Sequence, residues 1–186
     1  MHIFLTGPKH IGKSTTIQKI VGLLGKATPL SLGGFLTYWG GDDGACLYIA
    51  DAGGHSAPVL AATRGDSGTV LRPQAFDVQG AALLRETQGA QLILMDELGF
   101  LEKDCTVFQQ SVLACLEGGI PVLGVLRDGH ILWHEPIKAH RHVAVYEVGL
   151  ENRDRLPALV ASVIQHVPNP HAGCASPSAR RFPSAP

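Results

Sequence analysis

The sequence predicts an α/β protein of three layers, with a mostly parallel sheet and an antiparallel hairpin insertion. Three observations carry that prediction. Apolar strand-like runs alternate with amphipathic helical stretches over residues 1–167. The runs Gln91–Met95 (QLILM) and Ile120–Leu126 (IPVLGVL) are almost wholly apolar, as strands buried on both faces are. Between residues 30 and 63 short runs are separated instead by glycine-rich turns at hairpin spacing.

Composition narrows the class. The 186 residues suit one domain, and 45% hydrophobic with 17% charged residues is a globular composition. A formal net charge of −1 gives no footprint for nucleic acid or a membrane surface. No apolar run approaches the ~18 residues of a membrane span. A glycine loop that begins at residue 7 leaves no room for a cleavable leader, so a cytoplasmic location is expected. Cys46, Cys105, Cys115 and Cys174 have no CxxC spacing and read as reduced thiols.

Met1–Thr6 (MHIFLT) is a short apolar run, read as the first buried strand. Gly7–Ser14 (GPKHIGKS) follows, with the pattern Gly, four free positions, Gly-Lys-Ser. Glycines at its two ends let the backbone turn tightly, so that successive N–H groups point at anionic oxygens. Lys13 can then reach the β- and γ-phosphates, and the Ser14 hydroxyl can ligate Mg²⁺. The side chains at the free positions Pro8, Lys9, His10 and Ile11 matter less than their backbone, and Thr15 completes the expected nucleotide-binding stretch. Ile17, Ile20, Val21 and Leu24 fall on one face of a helix that Gly25 can end.

Gly34–Trp39, Ala45–Ala50 and Ala57–Ala62 read as the strands of an insertion spanning about residues 30–63, and Arg64–Gly68 (RGDSG) as a loop. Phe76–Thr87 reads as a helix with Leu83 and Leu84 inward, closed by Gly89. The strand Gln91–Met95 ends in Asp96-Glu97. A helix over Asp104–Glu117 has Asp104 as its expected N-cap and a stripe of Phe108, Val112, Cys115 and Leu116. The Ile120 strand and His142–Val148 complete the sheet. Glu151–Val167 is the last helix, with Pro157 in its first turn and Leu159, Val160, Val163, Ile164 and Val167 as its core face. Residues 168–186 are rich in Pro, Ser and Ala, and a disordered tail is expected.

A phosphate loop needs an acidic side chain from a neighbouring strand end to hold the metal shell, and Asp96 stands there. Glu97 beside it can accept a hydrogen bond from a water in line with the γ-phosphate, which favours hydrolysis. Glu102 stands near the mouth of the same site. Arg127, ending the Ile120 strand, is a candidate for stabilising charge on the transferred group, ahead of Arg141, Arg153 and Arg155. Four of the nine histidines, His130, His134, His140 and His142, fall between residues 129 and 142. His130 and His134 have the one-turn spacing that chelates zinc, but no Cys or acidic pattern completes a tetrahedral set. A loop or lid over the site is the preferred reading, with Trp133 placed to stack on a base. There is no Asn-Lys-x-Asp guanine-reading motif.

The phosphate loop, LSLGGFLT (Leu30–Thr37), MDELGFLE (Met95–Glu102) and YEVGLENRDRL (Tyr146–Leu156) occur in that order. Together they resemble the nucleoside-triphosphatase family first described from thermophiles, which also has a human cancer-related member. The matches span residues 1 to about 165. The resemblance implies a P-loop NTPase of the RecA-like division that hydrolyses ATP, GTP and other nucleoside triphosphates to the diphosphate and phosphate. It also implies that Met95, Asp96, Glu97, Leu98, Gly99, Phe100, Leu101 and Glu102 form the second nucleotide-contacting run. The chain departs from the family pattern at Ala45-Cys46-Leu47-Tyr48, where members have an Arg-x-Gly-Phe-like start, so no hairpin arginine carries over.

The expected function is Mg²⁺-dependent nucleoside-triphosphate hydrolysis. Lys13 and Glu97 are its catalytic residues, Ser14 and Asp96 its metal ligands, and a nucleoside triphosphate its partner; no nucleic acid or membrane is expected and a protein partner is left open. A nucleoside or nucleotide kinase is one alternative, although no arginine-rich lid is evident. A slow nucleotide-dependent switch is the other.

Overall fold

The first strand, β1 (His2–Thr6), lies one place in from an edge of the sheet, between the last strand on one side and the rest of the sheet on the other. The structure is a computed structural model, and it describes residues 1–26 and 28–166. The expected tail, Val167 and Cys174 lie outside the described residues.

Helix α1 (Lys13–Leu24) follows the phosphate loop and closes at Gly25, whose N–H donates to the Val21 carbonyl. Strands β2 (Leu32–Gly40), β3 (Cys46–Asp51), β4 (Val59–Gly65) and β5 (Gly68–Leu71) come next. A π-helical turn at Ala75–Gly80 leads into α2 (Ala81–Arg85). Then follow β6 (Leu92–Leu98), α3 (Thr106–Leu116) and β7 (Val122–Leu126). A short 3-10 turn, Leu132–His134, precedes α4 (Glu135–Lys138), β8 (Val143–Glu147) and α5 (Leu156–Gln165).

The eight strands form one sheet in the order β5-β4-β3-β2-β6-β7-β1-β8. Pairings among β2, β6, β7, β1 and β8 are parallel, and those of β2 with β3, β3 with β4 and β4 with β5 are antiparallel. Each face of the sheet carries an apolar cluster. Ile17 and Ile20 of α1 pack with Leu156, Val160 and Ile164 of α5 on one side. Phe76, Leu84, Phe108, Val112 and Leu116 cover the other. The expected three layers and the antiparallel insertion are both present.

Several boundaries differ from those read in the sequence. Arg64–Gly68 is the turn of a hairpin, because Gly65 pairs with Gly68 and β5 continues the sheet. Asp104 does not cap α3; the capping position is Cys105, without a side-chain bond, and Asp104 lies 3.9 Å from the Lys103 ammonium. Helix α5 starts at Leu156, after the turns that follow β8, and Leu159 is exposed while Ala161 takes a buried place. Strand β6 does not stop before Asp96 but runs on to Leu98.

Candidate active site

A cavity of about 860 Å³ opens at the carboxyl ends of the parallel strands, where ligands of open α/β sheets bind. The phosphate loop forms one wall. Gly7 has φ +132°, and a Cβ there would stand 2.7 Å from the Val148 carbonyl oxygen. Glycine is therefore required both for the turn and for the close approach of the chain after β8. Gly12, at φ +109°, begins α1 without a side-chain cap, which leaves the positive end of that helix facing the cavity. Lys13 is only 8% exposed, and its ammonium donates to the carbonyls of Gly7 at 2.8 Å and Pro8 at 3.0 Å. The cation is thus held inside the curve of the loop.

The acidic pair comes in from β6, two strands over. On the β7 side the ladder slips: Met95 pairs with Gly124 and Leu98 with Leu126, so two residues of β6 face one of β7. In a regular strand neighbours point to opposite faces; the bulge breaks that alternation, and both Asp96 and Glu97 line the cavity. The peptide joining them is cis. Burial pushes the Asp96 carboxyl up to about 6, with the Ser14 hydroxyl and Lys13 drawing it down and Glu97 raising it. Ser14 and Asp96 together present hard oxygen donors, the kind that suits a small divalent cation sharing phosphate oxygens.

Glu97 is positioned from three sides. Its N–H donates to the Thr37 hydroxyl at 3.2 Å, its Oε1 lies 3.7 Å from Nη1 of Arg127, and the Arg127 N–H donates to the Leu98 carbonyl at 2.9 Å. The Arg127 guanidinium also lies over the Phe100 ring, 4.6 Å from its centroid. Glu102 is buried, accepts the Gly99 N–H at 2.9 Å, and has its carboxyl pushed up to about 7 by burial.

Most of the residues expected in the site line the cavity: Gly7, Lys9, His10, Gly12, Lys13, Ser14 and Thr15 from the loop, and Asp96, Glu97, Gly99, Phe100, Leu101 and Glu102 from the acidic run. Pro8, Ile11, Met95 and Leu98 are not in its lining. Pro8 contributes its carbonyl to Lys13, Ile11 packs on the α1–α5 side, and Met95 and Leu98 are core residues. Arg127 lines the cavity, whereas Arg141, Arg153 and Arg155 do not.

The histidine segment is not a lid over this cavity. The Trp133 indole N–H donates to the Gly99 carbonyl at 2.8 Å and its ring packs on the core, so it braces the acidic run from behind. His134 is fully buried with neither ring nitrogen partnered, and burial pushes it down to about 4. Among the described residues no three His, Cys, Asp or Glu side chains gather to hold a metal. Besides Phe100, the cavity is lined by Trp39 of β2, with the Arg64 guanidinium 4.1 Å from its ring centroid. Neither residue stood out in the sequence; the turn signal around Asp66 and Ser67, taken as a hairpin, is the cue that would have brought Arg64 onto the sheet.

A first strand feeding a phosphate loop, with a carboxylate pair from a parallel strand of the same sheet lining the same cavity, defines the class of phosphate-loop α/β nucleotide-binding proteins. The chain belongs to the NTPase family, whose profile matches residues 2–161. It is 29% identical over 170 residues to nucleoside-triphosphatase THEP1 of Methanosarcina barkeri, covering 87% of this chain and 96% of the relative. It is 26% identical over 190 residues to the cancer-related nucleoside-triphosphatase of Homo sapiens, covering 88% and 96%. The fold is shared with the crystal structure of THEP1 from Aquifex aeolicus, at TM-score 0.71 and 23% identity over 89% of this chain and 99% of that one. The solution structure of the human cancer-related nucleoside triphosphatase gives 0.73 and 23%, over 88% and 97%. Among the described residues no helix is long and apolar enough to cross a membrane.

Proposed function

We propose that this chain hydrolyses nucleoside triphosphates to the diphosphate and phosphate, with Mg²⁺ held by Ser14 and Asp96. The observation that carries the reading is the β6 bulge, which turns Asp96 and Glu97 together into the cavity that the phosphate loop lines. The names of the relatives, nucleoside-triphosphatases, support the same reaction. When bound by Ser14 and Asp96, Mg²⁺ would supply neutralisation of phosphate charge. It would also hold Asp96 ionised, against the burial that raises its pKa.

The loop amides and Lys13 take the phosphate oxygens. Glu97 accepts a hydrogen bond from the attacking water, with Thr37 fixing its backbone. Arg127, beside Glu97 and half-exposed to the cavity, faces the charge that builds on the transferred group. The reaction is set in the cytoplasm, where the Cys105 and Cys115 thiols, pushed up to about 11 by burial, stay reduced.

Phosphate release from a panel of nucleoside triphosphates with Mg²⁺ tests the proposal, for the wild type and Glu97→Ala. The expected result is turnover in the wild type and a kcat lower by about 100-fold or more in the variant, with nucleotide binding by calorimetry retained. A wild type that binds nucleotide but releases no phosphate sinks it.

A further inference from the structure

The cavity extends past the phosphate loop and the acidic pair onto the antiparallel insertion. A phosphate loop cradles the α- and β-phosphates at the helix start, and its lysine reaches the β- and γ-phosphates. The terminal phosphate of a nucleotide so held faces Asp96 and Glu97 on β6. The sheet order then places β2, β3, β4 and β5 beyond Glu97, on the side from which an in-line acceptor approaches. One water there occupies ~30 Å³, and on that side the cavity continues along the insertion to Trp39, Leu47, Arg64 and Thr69.

Those four residues share one face of the antiparallel sheet. Trp39 is two residues from Thr37 on β2 and pairs with Leu47, Leu47 pairs with Ala62, and Arg64, two residues on from Ala62, pairs with Thr69. The alternate positions Tyr38 and Tyr48 stack on each other, with centroids 5.5 Å apart. Trp39 keeps 39% of its surface exposed, and Arg64, over its ring, joins no ion pair among the described residues.

We infer that this wall is a second-substrate subsite, where a nucleoside monophosphate stacks its base on Trp39, pairs its phosphate with Arg64 and accepts the γ-phosphoryl group. Arg64 covers part of the Trp39 ring, the 39% of Trp39 left exposed offers a planar apolar surface, and a guanidinium without a carboxylate partner among the described residues calls for an anion. An acceptor phosphate oxygen forms the new bond to the γ-phosphorus. The bond from that phosphorus to the β,γ-bridging oxygen breaks, and its electron pair leaves with the nucleoside diphosphate; the acceptor becomes a second diphosphate. The acceptor phosphate is close to doubly ionised at neutral pH, so no proton has to be removed. Arg64 and Arg127 line the same cavity, and Arg127 offsets the charge of Glu97.

The inference rests on the proposed triphosphate site, and its test reads the two separately. The full chain is given Mg²⁺, ATP and each of AMP, GMP, CMP and UMP in turn, and diphosphate formed from the monophosphate is measured per phosphate released. Release without any acceptor reports on the hydrolysis reading alone. The expected result is transfer to at least one monophosphate, a transfer-to-release ratio lower by about tenfold or more in Trp39→Ala, and most of that ratio retained in Trp39→Phe. In a Trp133→Phe background Trp39 is the one remaining tryptophan, and the same monophosphate quenches its fluorescence. No diphosphate from any of the four, or a ratio that Trp39→Ala leaves untouched, overturns the inference even where phosphate release is intact.

Discussion

The Arg127 guanidinium stands 3.7 Å from the Glu97 carboxylate and 4.6 Å from the centre of the Phe100 ring, at the end of the strand between the loop strand and the acidic strand. Its backbone is tied to Leu98, so it is an arginine fixed to the sheet and not one borne on a loose loop. On the proposed route, removing it takes away a cation placed for charge that develops only as phosphate leaves. Arg127→Ala is expected to lower kcat by about 100-fold, with KM for the triphosphate changed far less. Arg127→Lys should recover only part, because an ammonium cannot contact Glu97 and stack on Phe100 together. Steady-state phosphate release reads both; an unchanged kcat in Arg127→Ala removes the residue from the chemistry.

Thr37 acts on Glu97 through the backbone, by accepting its N–H at 3.2 Å. Thr37→Val keeps the shape and deletes the acceptor. The expected cost is about 1 kcal/mol of stability together with a roughly tenfold loss of kcat from a less well-placed carboxylate. Denaturant unfolding and phosphate release are compared on the same preparation. A stability loss with kcat intact would assign Thr37 to the sheet alone.

Two glycines of the phosphate loop separate strain from collision. Both have positive φ, but an added Cβ at Gly7 meets the Val148 oxygen at 2.7 Å, while at Gly12 it meets nothing within 4 Å. Gly12→Ala is expected to cost about 1–2 kcal/mol, and Gly7→Ala clearly more, since the chain between β8 and α5 must also move. Urea unfolding of the two variants gives the order, and equal losses would mean that the Val148 contact contributes nothing.

The parts legible in the sequence are those whose signal is local. The glycine spacing of the loop, the apolar runs of β6 and β7 and the carboxylates after Met95 each lie within a few residues of their own cue. Trp39 and Arg64 do not. They meet because β2, β3 and β4 pair in one register, a relationship among segments 25 residues apart that no window reveals. The end of β6 is hidden for a related reason: carboxylates read as the start of a turn, but the β2 ladder still holds Asp96 opposite Leu36. In sequence Trp133 reads as a base-stacking aromatic in a polar segment, and only the fold shows its N–H committed to Gly99.

Glu102 gives the clearest pH dependence. Its carboxyl is 3% exposed and burial holds it at about 7, above its ordinary 4.5. The folded chain therefore binds this proton more tightly than the unfolded one. The resulting stability is fully present below about pH 4.5 and is lost as pH rises toward 7. Asp96, raised to about 6, acts in the same direction, whereas His2 and His134, lowered to about 4, act in the opposite one. The wild-type profile alone mixes these effects, and the difference from Glu102→Gln isolates one. Glutamine keeps an acceptor for the Gly99 N–H and cannot ionise. Its stability relative to wild type is expected to rise by about 2–3 kcal/mol between pH 4.5 and pH 7.5, measured from urea unfolding at each pH. Parallel profiles for the two proteins would show that Glu102 is not protonated in the fold at neutral pH.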